Sequence, residues 1–198
     1  MNNKILLLAI LMIIINGISL LSGCTDNQSN ENTIDGPVWM KNYIPVHSLG
    51  DGSNDFWLTF PPGNPSGGLL VDHLDWVTNS LQEGCVLFVV HKTGCVSCQA
   101  QADRVIELGD KYEGQLMLYD LDIPLGGDIE KKAYDSYLYD PDGPPGYIAL
   151  TGIFTLVKDD SKIKYGWHSW EGDVEDIEME EWVKDGIYYW YQNSGEFL

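Results

Sequence analysis

The sharpest hydrophobic pattern in the chain is Cys85-Val86-Leu87-Phe88-Val89-Val90, continuously apolar and rich in β-branched residues. Bounded by Gly84 and Gly94, it is too short for a helix. It predicts a strand over 85–90 covered on both faces, the character of a central strand. Before it, Leu70, Leu74, Val77 and Leu81 recur at helical spacing and predict a helix from about residue 69 to Gly84. After it, Cys98, Ala102, Val105, Ile106 and Gly109 share one helical face that ends near Gly114, and residues 116–123 read as the next strand. Asp128 is placed to cap a further helix to about Tyr139, which the proline-rich loop 140–146 stops. Strands 147–157 and 162–170 follow, joined by a turn at Asp159-Asp160-Ser161. The last element is a helix from about Asp173 with Met179, Trp182, Val183, Gly186 and Trp190 as its stripe. Its acidic start (Asp173, Glu175, Asp176, Glu178) complements the positive end of the helix dipole and reads as a solvated first turn. The order helix, strand, helix, strand, helix, hairpin, helix predicts an α/β domain, a mixed central sheet with helices on both faces.

The flanks carry a different signal. Lys4 precedes the apolar run 5–15, and small residues then lead to Leu21-Ser22-Gly23-Cys24. This is a signal peptide in outline, shorter than the roughly 20 apolar residues of a membrane span. Leu21-Ser22-Gly23-Cys24 resembles a lipobox, which implies lipid attached to Cys24 and cleavage before it; the other reading is an uncleaved signal anchor. Either reading puts the domain outside the cytoplasm. The expected organisation is a lipoprotein signal peptide over 1–23, a polar, flexible tether over 24–36, an irregular aromatic-rich extension over 37–68 with one short strand near 56–60, and the α/β domain over 69–198.

Charge excludes one class of partner. The net charge is −19 and Arg104 is the single arginine, so the clustered cations that hold a nucleic-acid backbone are missing. The acidity bears on solubility and partners, not on fold.

Four cysteines remain to be assigned. Cys24 belongs to the lipid, and Cys85, inside the apolar run, reads as a small buried hydrophobe. Cys95-Val96-Ser97-Cys98 is left as the close pair, set where an apolar strand runs into a helix. Backbone N–H groups at a helix start favour a thiolate there, which makes Cys95 the candidate nucleophile. One turn further in, Cys98 is within reach of a mixed disulfide on Cys95 and is the candidate resolving thiol. His91 and Lys92, when charged, would add to thiolate stabilisation. Zinc would need two further ligands from the scattered His47, His73, His91 and His168, so no metal site is expected. A purely structural bridge would close too short a loop to remove much chain entropy. Copper delivery would call for a visible Met and His motif, and Met117 and Met179 read as core.

From about Leu69 to Tyr191 the pattern resembles the thioredoxin superfamily. The element order matches, residues 86–98 are similar to the strand leading into the redox motif, and Gly152-Ile153-Phe154-Thr155-Leu156-Val157 is similar to the penultimate strand. The resemblance implies a thioredoxin-like fold, Cys95 as nucleophile, Cys98 as resolving thiol and no cofactor. It also implies a cis-proline opposite the disulfide that offers backbone to substrate. Local similarity puts that position at Phe154 and the nearest proline puts it at Pro145, with Ala149 between them; Pro145 is the choice, because only an X-Pro bond is cis at small cost. Departures are Gly94 before the first cysteine, Val96-Ser97 between the pair, and Val89 where the family often buries an acid. The expected function is a lipid-anchored thiol–disulfide oxidoreductase on the extracytoplasmic face of the membrane. Its partners would be disulfide- or thiol-containing exported proteins, with a membrane electron carrier to reset it. The alternative is a non-catalytic binding or scaffold lipoprotein with the same fold.

Overall fold

In a computed structural model, residues 36–197 are described. Residues 1–35, and with them the leader, Cys24 and nearly all of the tether, lie outside the described residues.

Short pieces come first: a 3₁₀ turn Val38–Asn42, then β1 (Ser48–Leu49) and β2 (Asp55–Phe56), which pair in parallel. The elements that follow are α1 (Asp75–Ser80), β3 (Cys85–His91), α2 (Val96–Lys111), β4 (Leu116–Asp122), α3 (Gly127–Asp135), β5 (Leu150–Asp159), β6 (Lys162–Glu171) and α4 (Asp176–Phe197). The main sheet has the order β4-β3-β5-β6. Strands β3 and β4 run parallel, Cys85 opposite Leu116 and His91 opposite Asp122, while β5 is antiparallel to both β3 and β6. A parallel strand–helix–strand half joined to an antiparallel hairpin and a last helix is a thioredoxin-like fold.

Every residue of β3 is buried, as its unbroken apolar run requires. Side chains alternate across the strand, so the two faces can be assigned. A Cβ built on Gly186 of α4 would lie 2.9 Å from Cys85 Sγ, and one on Gly109 of α2 would lie 2.4 Å from a methyl of Leu118; α2 and α4 therefore cover the face of Cys85 and Leu118. On the other face the Phe88 ring meets Phe154, Tyr139 and Trp76, supplied by β5, the turn after α3, and α1. The hairpin between β5 and β6 turns through Asp160 and Ser161, both at positive φ.

Two local expectations are corrected. The apolar spacing predicts a helix from about residue 69, yet α1 begins at Asp75, and Leu70 is 82% exposed. The backbone there is already engaged: Phe60 N–H donates to Leu69 O, and Leu70 bridges Thr59. Asp128 does not cap α3. Gly126 occupies the cap position with no side-chain bond, and Asp128 pairs with Lys132 instead, at 2.6 Å.

The segment before α1 is packed against the domain. Trp57 and Trp167 exchange backbone hydrogen bonds at 2.7 and 3.1 Å, which covers part of the free edge of β6. Asp185, fully buried in α4, accepts hydrogen bonds from Tyr43 Oη, from the N–H groups of Val46 and His47, and from the His47 ring, at 2.5–3.0 Å. Four donors are what a carboxylate needs to sit in an otherwise apolar stripe. The His47 ring stacks on Trp182 with centroids 3.6 Å apart.

Gly152 tests this packing. It lies opposite Phe88, and an added Cβ would meet two carbons of that buried ring at 2.6 Å. Elsewhere in a strand, replacing glycine with alanine gains about 0.5–1 kcal/mol. Here overpacking prevails, and Gly152→Ala is expected to lose about 1–3 kcal/mol in chemical denaturation. A substituted chain as stable as the parent would refute the face assignment.

Candidate functional site

Strand β3 ends at His91, and Lys92, Thr93 and Gly94 turn the chain into α2. Gly94 has φ +83°, a conformation that L side chains rarely adopt, and Cys95 N–H closes the turn on Lys92 O at 2.9 Å. Cys95 is thus the N-cap residue of α2, with an extended backbone and no acidic side chain in the turn that follows. Cys98 lies inside the first turn, its N–H on Cys95 O at 3.1 Å. The two cysteines form a disulfide with Cα atoms 5.4 Å apart.

Their surroundings differ sharply. Cys95 is half-buried and its Sγ lies 3.4 Å from Ser97 Oγ, whereas Cys98 is fully buried. Val96, beside the pair, is 92% exposed. The sulfur that a partner reaches first is that of Cys95. Cys85 is fully buried and free; desolvation pushes its thiol far up, so it stays protonated and inert.

Two carboxylates on β4 hold the end of β3. Asp122 is buried beside Thr93 and accepts its N–H at 2.8 Å and its hydroxyl. Burial alone would raise the Asp122 pKa, but both Thr93 bonds and the neighbouring His91 outweigh it and hold the carboxyl below the usual range. His91 is itself buried, its Nε2 2.6 Å from Asp120 Oδ1. Lys92 is exposed. Val89 is fully buried between Asp120 and Thr151, with no carboxyl of its own to offer the pair.

Behind the cysteines, Gln101 fixes how α2 sits. Fully buried, it donates to Thr151 Oγ1 at 2.9 Å and accepts from Val174 N–H at 2.9 Å and from Arg104 at 3.0 Å. Arg104 in turn pairs with Asp173 and Asp176, so the one arginine of the chain is spent on joining α2 to the start of α4.

The loop 140–149 brings the remaining candidate near the same end of the sheet. The Pro144-Pro145 peptide is cis, and Pro145 is exposed. Ile148-Ala149 is cis as well; Ala149 is fully buried and directly precedes Leu150, the β5 residue opposite Val90. In register, Ala149 is therefore nearer than Pro145 to the strand that leads to Cys95. No residue-level signal marks a cis bond at an alanine, because cis peptides are almost confined to proline. Asp122, Thr93 and Gln101 are also unassigned by sequence reasoning. Asp122 carried a readable hint, an acid ending an apolar strand next to the strand that leads to Cys95.

No protein-family model matches the chain, and no curated protein sequence matches it. Solved structures do: one is thioredoxin O2 from Arabidopsis thaliana in the oxidised state, 14% identical, covering 54% of this chain and 84% of that one with a TM-score of 0.35. At that score and identity the likeness adds nothing to what the sheet topology shows.

The Asp122 clasp has a pH signature. A carboxyl with a lowered folded pKa stabilises the fold above its unfolded value, near 3.8, and that contribution disappears as pH falls through the lower folded value. Asp122→Ala is expected to cost about 1–3 kcal/mol in urea denaturation at neutral pH. The gap from the parent should shrink as the medium is acidified below the normal carboxylate range. An unchanged gap would mean that the charge of Asp122 contributes nothing.

Proposed function

We propose that the chain is a thiol–disulfide oxidoreductase working through Cys95 and Cys98. One observation carries the reading: a disulfide at a helix start joins a half-buried sulfur to a fully buried one. In the reduced chain, the N–H groups at the start of α2 and the Ser97 hydroxyl favour the Cys95 thiolate. That thiolate attacks one sulfur of a substrate disulfide; a mixed disulfide forms, the substrate S–S bond breaks, and the departing substrate thiolate takes a proton. Cys98 loses its proton and attacks Cys95 Sγ. The mixed disulfide breaks, a second substrate thiol leaves, and the chain carries the Cys95–Cys98 bond, two electrons having passed to the substrate. Run backwards, the same steps oxidise a substrate dithiol.

The leader and Leu21-Ser22-Gly23-Cys24 support a lipid anchor on Cys24 at the extracytoplasmic face. Substrates would then be exported proteins, and a dithiol of a membrane electron carrier would reduce the chain again. The surface charge argues against nucleic acid as a partner. Val89, where an acid would assist Cys98, favours a second reading, a binding lipoprotein that keeps the fold without turnover.

Insulin reduction with dithiothreitol as electron source separates the two readings. The parent chain is expected to accelerate insulin precipitation, Cys95→Ser to fall to the uncatalysed rate, and Cys98→Ser to accumulate a mixed disulfide on Cys95. A parent that is inactive, or a Cys95→Ser chain as active as the parent, would leave the binding reading.

A further inference from the structure

A second polar cluster lies at the same end of the sheet and takes no part in the exchange reaction. Asp140 follows the 3₁₀ turn Ser136–Tyr139 and is only 1% exposed. Its Oδ1 accepts Asp142 N–H at 3.0 Å, and its backbone carbonyl accepts Asn64 Nδ2 at 2.8 Å. Its Oδ2 is buried with no donor. Ser169 Oγ of β6 donates to Tyr139 O at 2.6 Å, which holds the end of β6 against the turn that Asp140 follows, and the carboxyl of Glu171 at that end stands beside the Asp140 carboxyl. Glu171 Oε1 in turn accepts the N–H of Tyr147 at 3.0 Å. Two ionised carboxylates in contact repel, whereas one proton between them makes an O–H···O⁻ hydrogen bond and gives Asp140 Oδ2 its missing donor.

We propose that Asp140 and Glu171 share a single proton, and that this proton latches the loop 140–147 to the end of β6. The latch closes a ring of contacts from Asp140 through Glu171 to Tyr147, with the loop held between its two ends. Glu171 pairs with Leu150, which pairs with Val90, so the latch borders the entry to β5 at the end of the sheet where β3 turns toward Cys95. Losing the proton puts two negative charges in contact and releases the loop. The device is independent of the redox reading: it operates whether or not Cys95 exchanges disulfides.

The neighbours leave the proton as the available counter-charge. Asp142 faces the pair from the loop and Tyr137 from the turn before it, while Asn64 of the N-terminal extension and Leu150 of β5 are neutral. Among the described residues no three His, Cys, Asp or Glu side chains converge as a metal-ion cluster. Burial first, then the bond to Asp140 and the charges of Asp140 and Asp142, push Glu171 up to about 7 against the opposing Tyr147 N–H bond. A raised folded pKa means that the latch contributes fully below the unfolded value, 4.5, and is lost as pH rises through about 7.

Hydrogen exchange over residues 141–149 of the full chain, corrected for the intrinsic rate at each pH, tests the latch. From neutral to mildly alkaline pH the corrected rate is expected to rise by up to about tenfold per pH unit, the limit for one proton. Glu171→Gln, whose amide can donate to Asp140 Oδ2 without titrating, should keep the loop protected across the range. A flat profile in the parent, or the same rise in Glu171→Gln, overturns the proposal. So does protection of the alkaline parent by calcium that a chelator reverses, because a cation and not a proton would then fill the gap. Should Glu171→Gln fail to fold, carbon NMR of the Glu171 carboxyl in the parent decides: titration near neutrality is expected, and titration in the ordinary carboxylate range overturns the latch.

Discussion

The complete burial of β3 is the constraint from which the rest of the structure follows. Seven consecutive residues have no exposed face, so each edge of the strand needs a hydrogen-bonding partner and each face needs a cover. Strands β4 and β5 supply the ladders, α2 and α4 cover one face, and α1 with the turn after α3 covers the other. Each fully buried Val, Leu or Phe contributes about 1.5–3 kcal/mol relative to an exposed one, which makes this strand hard to displace. Where the strand ends, the chain turns at once into α2, and the first residue of that turned-in helix end is Cys95. The position of the disulfide is thus inherited from the position of the core.

That inheritance explains why the two sulfurs differ. A helix that packs on the sheet carries its first turn from solvent toward the core, so Cys95 at the cap keeps some exposure and Cys98 within the turn has none. Asp122 holds the turn from the neighbouring strand, and Gln101 holds the helix from β5 and from the approach to α4. Val89 puts no acid beneath the pair, and the acids that are present are used elsewhere: Asp120 on His91, Asp122 on Thr93, and Glu171 on Asp140 and Tyr147. In the exchange proposed above, Cys98 would therefore give up its proton without help from any of these carboxylates.

What could be read from residues alone follows interaction range. β3, α2, the hairpin and α4 are legible because their patterns repeat within one element, and the cysteine pair is legible because both partners stand in one turn. The helix expected from residue 69 fails because Leu69 and Leu70 give their backbone to Thr59 and Phe60, a claim that apolar spacing cannot register. Asp185 looks like a polar error in an apolar stripe until Tyr43 and His47 arrive from more than a hundred residues away. Thr93 with Asp122, and Asp140 with Glu171, are likewise pairs whose members look ordinary in sequence and acquire their roles only across strands. The residue type of Ala149 carries no mark of the cis bond before it, and similarity to the family only brackets the position between Pro145 and Phe154.

The unequal environment of the two thiols is the central claim, and alkylation of the reduced chain tests it most directly. With a small alkylating agent at mildly acidic pH and the modified residue identified by mass spectrometry, Cys95 should react faster than Cys98 by on the order of tenfold or more. Slow and equal modification of Cys95 and Cys98 would contradict the account, since neither sulfur would then be both reachable and favoured as an anion.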